Sequence, residues 1–345
     1  MQERRRQPSR GLRAPDTARS GRVAAAWSVC GLAWLPGLGT ITLAVIGRVP
    51  PRQLLEGYIV LGPLFGMPAA LLGARIVARK ADNRIGWILL GMGLAQTIAQ
   101  FANVYSAYTF TIHPGALPAG GFASWLYAWA WTPIVAAGPW LLLLFPDGRL
   151  PSRRWRPVAW AAGTSVLLFA GGSAITAAPI PGATLAQLAQ GAAPTDAWSR
   201  WYDIFTSAIF PVTDLLALIG VVALLLRMRR SRGAARQQAK WFAYAAVPWV
   251  MVDLAAVALS PFAGALGSLI ALTGLLGAIW VAVLRHRLYE IDRLLNRTLV
   301  YGLLTVALGA AYAVALVVLG QVFARVGGRS SLVVAGATLA VAALF

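Results

Sequence analysis

The sequence predicts an all-α fold, a polytopic integral membrane helical bundle of about ten transmembrane segments, and three observations lead there. Of 345 residues, 59% are apolar and only 12% charged, whereas soluble domains carry about 25% charged residues; the mean hydropathy is +0.68. The apolar residues gather into runs at 23–46, 57–78, 85–107, 122–145, 157–177, 204–226, 241–260, 264–284 and 300–323, each long enough as a helix to cross a hydrocarbon layer about 30 Å thick. The basic residues sit in short clusters between those runs. Helices are required because lipid offers backbone groups no partners, and the alternating short segments of a barrel are absent.

Taken in order, residues 1–22 form a basic tail, and the run after it is too long for a signal-peptide core, so it reads as an uncleaved first span. Residues 23–284 are expected to hold eight membrane helices, 285–299 a cytoplasmic amphipathic linker, and 300–345 the last two membrane segments. With the N-terminus inside, 25 of the 30 Lys and Arg fall on inner segments and 5 on outer ones. That asymmetry predicts a cytoplasmic N-terminus in a plasma membrane. Trp125, Trp129, Trp198 and Trp201 then fall near the outer boundary, and Trp155 and Trp241 near the inner one, as an aromatic belt requires. The longest outer loop, 178–203, carries a short apolar pattern at Leu185 and Leu188 and is too small for a domain. Gly264, Gly267, Gly274 and Gly277 in the eighth span permit close helix contact.

A net charge of +19 would suggest nucleic acid in a soluble protein, but here the cations are topology signals, so the bilayer is the expected partner and nucleic acid is not. The single cysteine, Cys30, excludes an intramolecular disulfide and a cysteine metal site. His113 and His286 are isolated, with no HExxH-type spacing, and Gly91-Met92-Gly93 lies inside a span with no preceding strand and no Walker motif elsewhere. No catalytic residue, metal or cofactor is therefore expected on this chain.

Five polar residues lie inside the apolar runs. Gln96, Gln100 and Asn103 share one face of the third span and are expected to point into the bundle, either as interhelical hydrogen-bonding glue or as part of a ligand pocket. Asp214 and Asp253 lie in consecutive antiparallel spans at depths that overlap. An acid at mid-bilayer costs at least ~2.5 kcal/mol, so such residues commonly mark ion paths or ligand sites, although a neutral acid bonded to a backbone carbonyl is an equal alternative.

The stretch 285–301, RHRLYEIDRLLNRTLVY, places Leu288, Ile291, Leu295 and Leu299 on one helical side and Arg285, Asp292, Arg293 and Arg297 on the other, a spacing that suits an interfacial helix or a basic staple between two spans. Its wording, RLYEIDRLLNRTLVYGLLT at 287–305, resembles the last membrane loop of a family of bacterial multi-pass sensor histidine kinases of two-component systems. Three more segments resemble the same membrane-embedded N-terminal sensor region: NRIGWILL at 83–90, LLLFPDGRLPSRRW at 142–155 and SRGAARQQAKW at 231–241. The resemblance runs from about residue 83 to the end. It implies a sensory and anchoring module that transmits helix movement through the linker residues Arg287, Tyr289, Asp292, Asn296 and Arg297, forms a homodimer, and reaches a response regulator only through kinase domains that are not in this chain. His286 is followed by Arg287, whereas the phosphoacceptor histidines of such kinases are followed by an acid, so it reads as a linker residue. The last segment, 332–345, spans about 21 Å as a helix, short of the hydrocarbon layer, and a truncated form of a longer kinase is expected. A transporter using Asp214 and Asp253, or a stand-alone regulatory membrane subunit, are the competing readings.

Overall fold

The computed structural model describes residues 17–255 and 261–284. The linker at 285–299, the last two expected membrane segments and His286 lie outside the described residues, as do residues 256–260 of the expected span at 241–260. Every element among the described residues is helical: α1 (Thr17–Ile46), α2 (Pro51–Glu56), α3 (Met67–Arg79), α4 (Arg84–Ala107), α5 (Gly120–Ala130), α6 (Thr132–Leu144), α7 (Arg156–Ala177), α8 (Gly182–Ala189), α9 (Ala197–Arg230), α10 (Gly233–Ala255) and α11 (Pro261–Leu284). Among the described residues, six stretches are long and apolar enough to cross a membrane: Arg19–Ile46, Arg84–Ile112, Gly120–Leu144, Arg153–Ala177, Ala197–Arg230 and Phe262–Ala282. The outward faces of α1, α7 and α9 carry Leu32, Leu35, Trp160, Leu167, Ile175, Leu215 and Val222 in the open. Water-soluble proteins rarely leave apolar surface so continuous, and lipid accounts for it.

Two groups of helices build the bundle. In the first, α1 lies across the α3–α4 hairpin; in the second, α6 packs on α7 and α9, α9 on α10, and α10 on α11. α4 joins the groups by packing on both α5 and α6, and α11 closes the arrangement against α2 and α3. One apolar core runs through the junction, from Phe65, Leu72 and Ile76 through Leu89 and Met92 to Leu141, Phe145, Phe242, Trp249 and Ile279. The rings of Phe145 and Phe242 stack with centroids 3.9 Å apart.

The α3–α4 hairpin is a close contact between backbones. Gly66 and Gly73 on one strand of the hairpin face Gly93 and Gly86 on the other, so that a Cβ on Gly93 would lie 2.6 Å from the Gly66 carbonyl oxygen and one on Gly73 would lie 2.6 Å from that of Gly86. Only residues without a side chain let two backbones approach so closely. The eighth-span glycines behave differently: Gly274 and Gly277 meet nothing within 4 Å among the described residues, Gly267 touches Val252, and Gly264 lies beside the Tyr58 hydroxyl.

α9 has 34 residues and a length of about 51 Å, so it projects beyond the hydrocarbon layer at both ends. Its start is fixed by Asp196, whose side chain accepts from the Ser199 amide at 2.7 Å while the Ser199 hydroxyl accepts from the Asp196 amide at 3.1 Å. This reciprocal cap holds the Asp196 carboxyl below the usual carboxylate range, first through the Ser199 backbone bond and then through its side chain. Trp198 and Trp201 follow, 53% and 61% exposed. Trp125, expected in the same belt, instead donates its indole N–H to the Ala174 carbonyl at 2.9 Å and so ties α5 to α7. The 178–203 segment folds back as α8, burying Leu185 against α5.

Candidate functional site

Two segments singled out by their wording, 83–90 and 142–155, meet at one end of the bundle, and the end of α9 joins them there. Asn83 caps α4 by accepting from the Ile85 amide at 3.0 Å. Gly148, in the left-handed region at φ 72°, ends the Pro146-Asp147-Gly148 turn so close that a Cβ there would meet Asn83 Oδ1 at 3.0 Å and the Arg84 amide at 3.2 Å. Arg227, one turn from the end of α9, donates to the Phe145 and Arg149 carbonyls, satisfying acceptors that the end of α6 and the following turn leave open. The Arg22–Asp82 ion pair brings the start of α1 to the same end. These contacts are architectural: they lock three interhelical turns together.

The polar residues of the interior meet at mid-depth. A cavity of about 310 Å³ lies between Gln96 and Gln100 of α4, the α5–α6 joint at Tyr127 and Trp131, Phe210 of α9, Trp249 and Asp253 of α10, Ser268 of α11, and Tyr58. Helical spacing explains the pairing of residues on each wall, since Gln96 with Gln100 and Trp249 with Asp253 are each one turn apart. Proline explains the shape. Pro133 falls at the second position of α6 and breaks the traverse at Trp131; the Trp129 carbonyl at the break is taken instead by the Thr132 hydroxyl at 2.7 Å. Pro211 and Pro248 stand inside α9 and α10, next to Phe210 and Trp249, and each removes one rung of the helical ladder. Pro63 begins a wide, five-residue-spaced turn at Gly62–Gly66, just after Tyr58 and Leu61.

Gln96, Gln100 and Asn103 are all buried, at 2%, 2% and 5% exposure, but they do different things. Asn103 donates its amide to the Gly57 carbonyl at 3.1 Å and contacts Gln100 Oε1 at 3.4 Å, which holds the end of α2 in place. That anchor lies beside Tyr58, whose φ of 56° is a costly backbone conformation for a bulky residue and brings its ring to the cavity. Gln96 Oε1, by contrast, is buried on the cavity wall and has no hydrogen-bond partner among the described residues. The Asp214 and Asp253 carboxyls adjoin across the α9–α10 contact, within hydrogen-bonding reach of each other. Asp253 lines the cavity, and Asp214, a turn below Phe210, backs it. The Tyr58 hydroxyl faces both Ser268 and Asp253.

His113 ends the third span with its ring 5.0 Å from that of Tyr108, far in sequence from any other metal ligand, and no group of three His, Cys, Asp or Glu residues fit to hold a metal occurs among the described residues. The aromatic half of the cavity, Tyr58, Tyr127, Trp131, Phe210 and Trp249, was not apparent from periodicity. Its one sequence signal was the set of prolines at matching depths in separate spans. Comparison of the chain with protein-family models, with curated proteins and with solved structures finds no match.

Proposed function

We propose that this chain is the membrane-embedded sensory and anchoring part of a two-component sensor histidine kinase, with ten membrane segments in a bacterial plasma membrane and a cytoplasmic N-terminus. The observation that carries the reading is the mid-depth cavity, built from helices of both groups and lined by polar residues, among them Gln96, whose buried oxygen has no hydrogen-bond partner among the described residues. A ligand seated there touches α4, α6, α9, α10 and α11 at once, so its binding energy acts directly on their relative packing, and α11 leads straight into the 285–299 linker. The chain holds no nucleotide-binding motif, so phosphoryl transfer falls to domains coupled to it, with a homodimer and a response regulator as partners. The adjoining Asp214 and Asp253 favour a second reading, a cation-coupled transporter.

Two measurements test the proposal. A cysteine introduced at Asp196 is expected to react with a membrane-impermeant maleimide in intact cells; reaction only after permeabilisation overturns the orientation. A chimera joining the chain to the cytoplasmic part of a characterised histidine kinase is expected to autophosphorylate at a rate that Gln96→Leu or Trp249→Leu changes at least threefold. A rate equal to that of the soluble kinase part, indifferent to both substitutions, would overturn the sensory reading.

A further inference from the structure

We propose that the mid-depth cavity binds a small organic cation, a primary or secondary ammonium ion bearing an apolar group, with the ammonium held by Asp253 and Gln96 and the apolar group against Trp131, Phe210 and Trp249. The inference deepens the sensory reading and rests on it for its physiological consequence.

The donor and acceptor balance points to the ammonium. The Gln96 oxygen and the Asp253 carboxyl both accept hydrogen bonds, and the Gln96 oxygen has no donor among the described residues. Asp214 and Tyr58 already face Asp253, so the open requirement is the Gln96 oxygen, and a ligand carrying N–H or O–H groups meets it while also bonding Asp253. Charge narrows the choice. Asp214 and Asp253 adjoin, and a proton shared between two acids so placed still leaves the pair with one negative charge. Among the described residues no Lys or Arg lines the cavity, and the ion pairs Arg22–Asp82 and Arg52–Glu56 lie elsewhere. A neutral alcohol would meet the hydrogen bonds but leave the charge uncompensated.

The aromatic wall then separates an organic cation from a metal ion. Trp131 stacks with Phe210 at a centroid distance of 5.7 Å and an interplanar angle of 22°, and Trp249 stands one turn from Asp253. Ring faces attract ammonium groups and cover alkyl or aryl surface, but they give a hard metal ion none of the six or more oxygens it requires. The cavity volume of about 310 Å³ is at the small end of ligand sites, which sets the size of the guest.

The test uses the full chain in lipid nanodiscs and isothermal titration with 2-phenylethylammonium, its uncharged isostere propylbenzene, and sodium chloride. Saturable binding of the ammonium is expected, at least tenfold weaker with Asp253→Asn and several-fold weaker with Trp249→Leu or Gln96→Leu, in variants whose unfolding midpoints match the unaltered protein. Propylbenzene is expected to bind no better to the unaltered protein than to Asp253→Asn. Absence of saturable ammonium binding, propylbenzene binding as tight as the ammonium, displacement of the ammonium by millimolar sodium, or indifference to all three substitutions would each overturn the proposal. Should Asp253→Asn fail to fold, the comparison of ammonium with propylbenzene on the unaltered protein still decides it. Ammonium binding alongside a chimera that ignores the cavity substitutions would retire the sensory reading alone; a responsive chimera without ammonium binding would retire the cation alone.

Discussion

Gly93→Val is expected to prevent assembly of the bundle, while Gly91→Val two residues away leaves it intact. At Gly93 a Cβ lies 2.6 Å from the Gly66 carbonyl oxygen and 2.7 Å from the Ala70 amide nitrogen, whereas at Gly91 it meets nothing within 4 Å. The obstacles at Gly93 are backbone atoms, which cannot rotate away. Relief requires α3 and α4 to separate, and α1 and the π-like turn at Gly62–Gly66 lie on that same pair. Overpacking of well-packed interiors costs about 1–3 kcal/mol when side chains can yield, so a clash confined to backbone is expected at or beyond the upper end. Fluorescence-detected gel filtration of the two variants checks this. Equal recovery of monodisperse protein for both would show that the hairpin is not packed as described.

The second large effect is expected at Asp253. Leucine there removes a polar group from the site that Tyr58 and Gln96 also line, leaving the half-buried Asp214 carboxyl beside an alkyl chain, a loss expected toward the low end of the about 1–3 kcal/mol that a fully buried group deprived of its partner costs. Asparagine keeps the shape and supplies an N–H donor to Asp214, so Asp253→Asn is expected to unfold within a degree or two of the unaltered protein, and Asp253→Leu several degrees below it. Thermal unfolding in detergent measures the difference. Should Asn prove as harmful as Leu, the acid matters for its charge or proton rather than its polarity, and the transporter reading gains.

Much of the organisation is legible in the sequence because a bilayer makes simple demands. Length and apolarity alone mark candidate spans, and six of the expected runs fall in helical stretches of the described residues long and apolar enough to cross a membrane. The helical repeat places Gln96, Gln100 and Asn103 on one face, and a face of amides inside an apolar span has nowhere to go but inward. The wording at 83–90 and 142–155 marks turns, and those turns touch each other. Less legible was the division of labour among the polar residues. Nothing in the spacing distinguishes Asn103, which closes a bond to the Gly57 carbonyl, from Gln96, whose buried oxygen has no partner among the described residues.

The sequence by itself determined that the chain is helical, that it lives in lipid, and which side chains are too polar to face that lipid, because each of these follows from local composition and a 3.6-residue period. Only the tertiary structure decided which glycines bring two backbones together and that Asp214 and Asp253 adjoin. It also decided that five aromatic residues from four separate segments enclose one space with Asp253. The reason is physical: contacts between helices depend on their relative rotation and depth. Those are set by the sum of many packing terms along each interface and by the proline breaks at Pro133, Pro211 and Pro248, none of which can be evaluated one helix at a time.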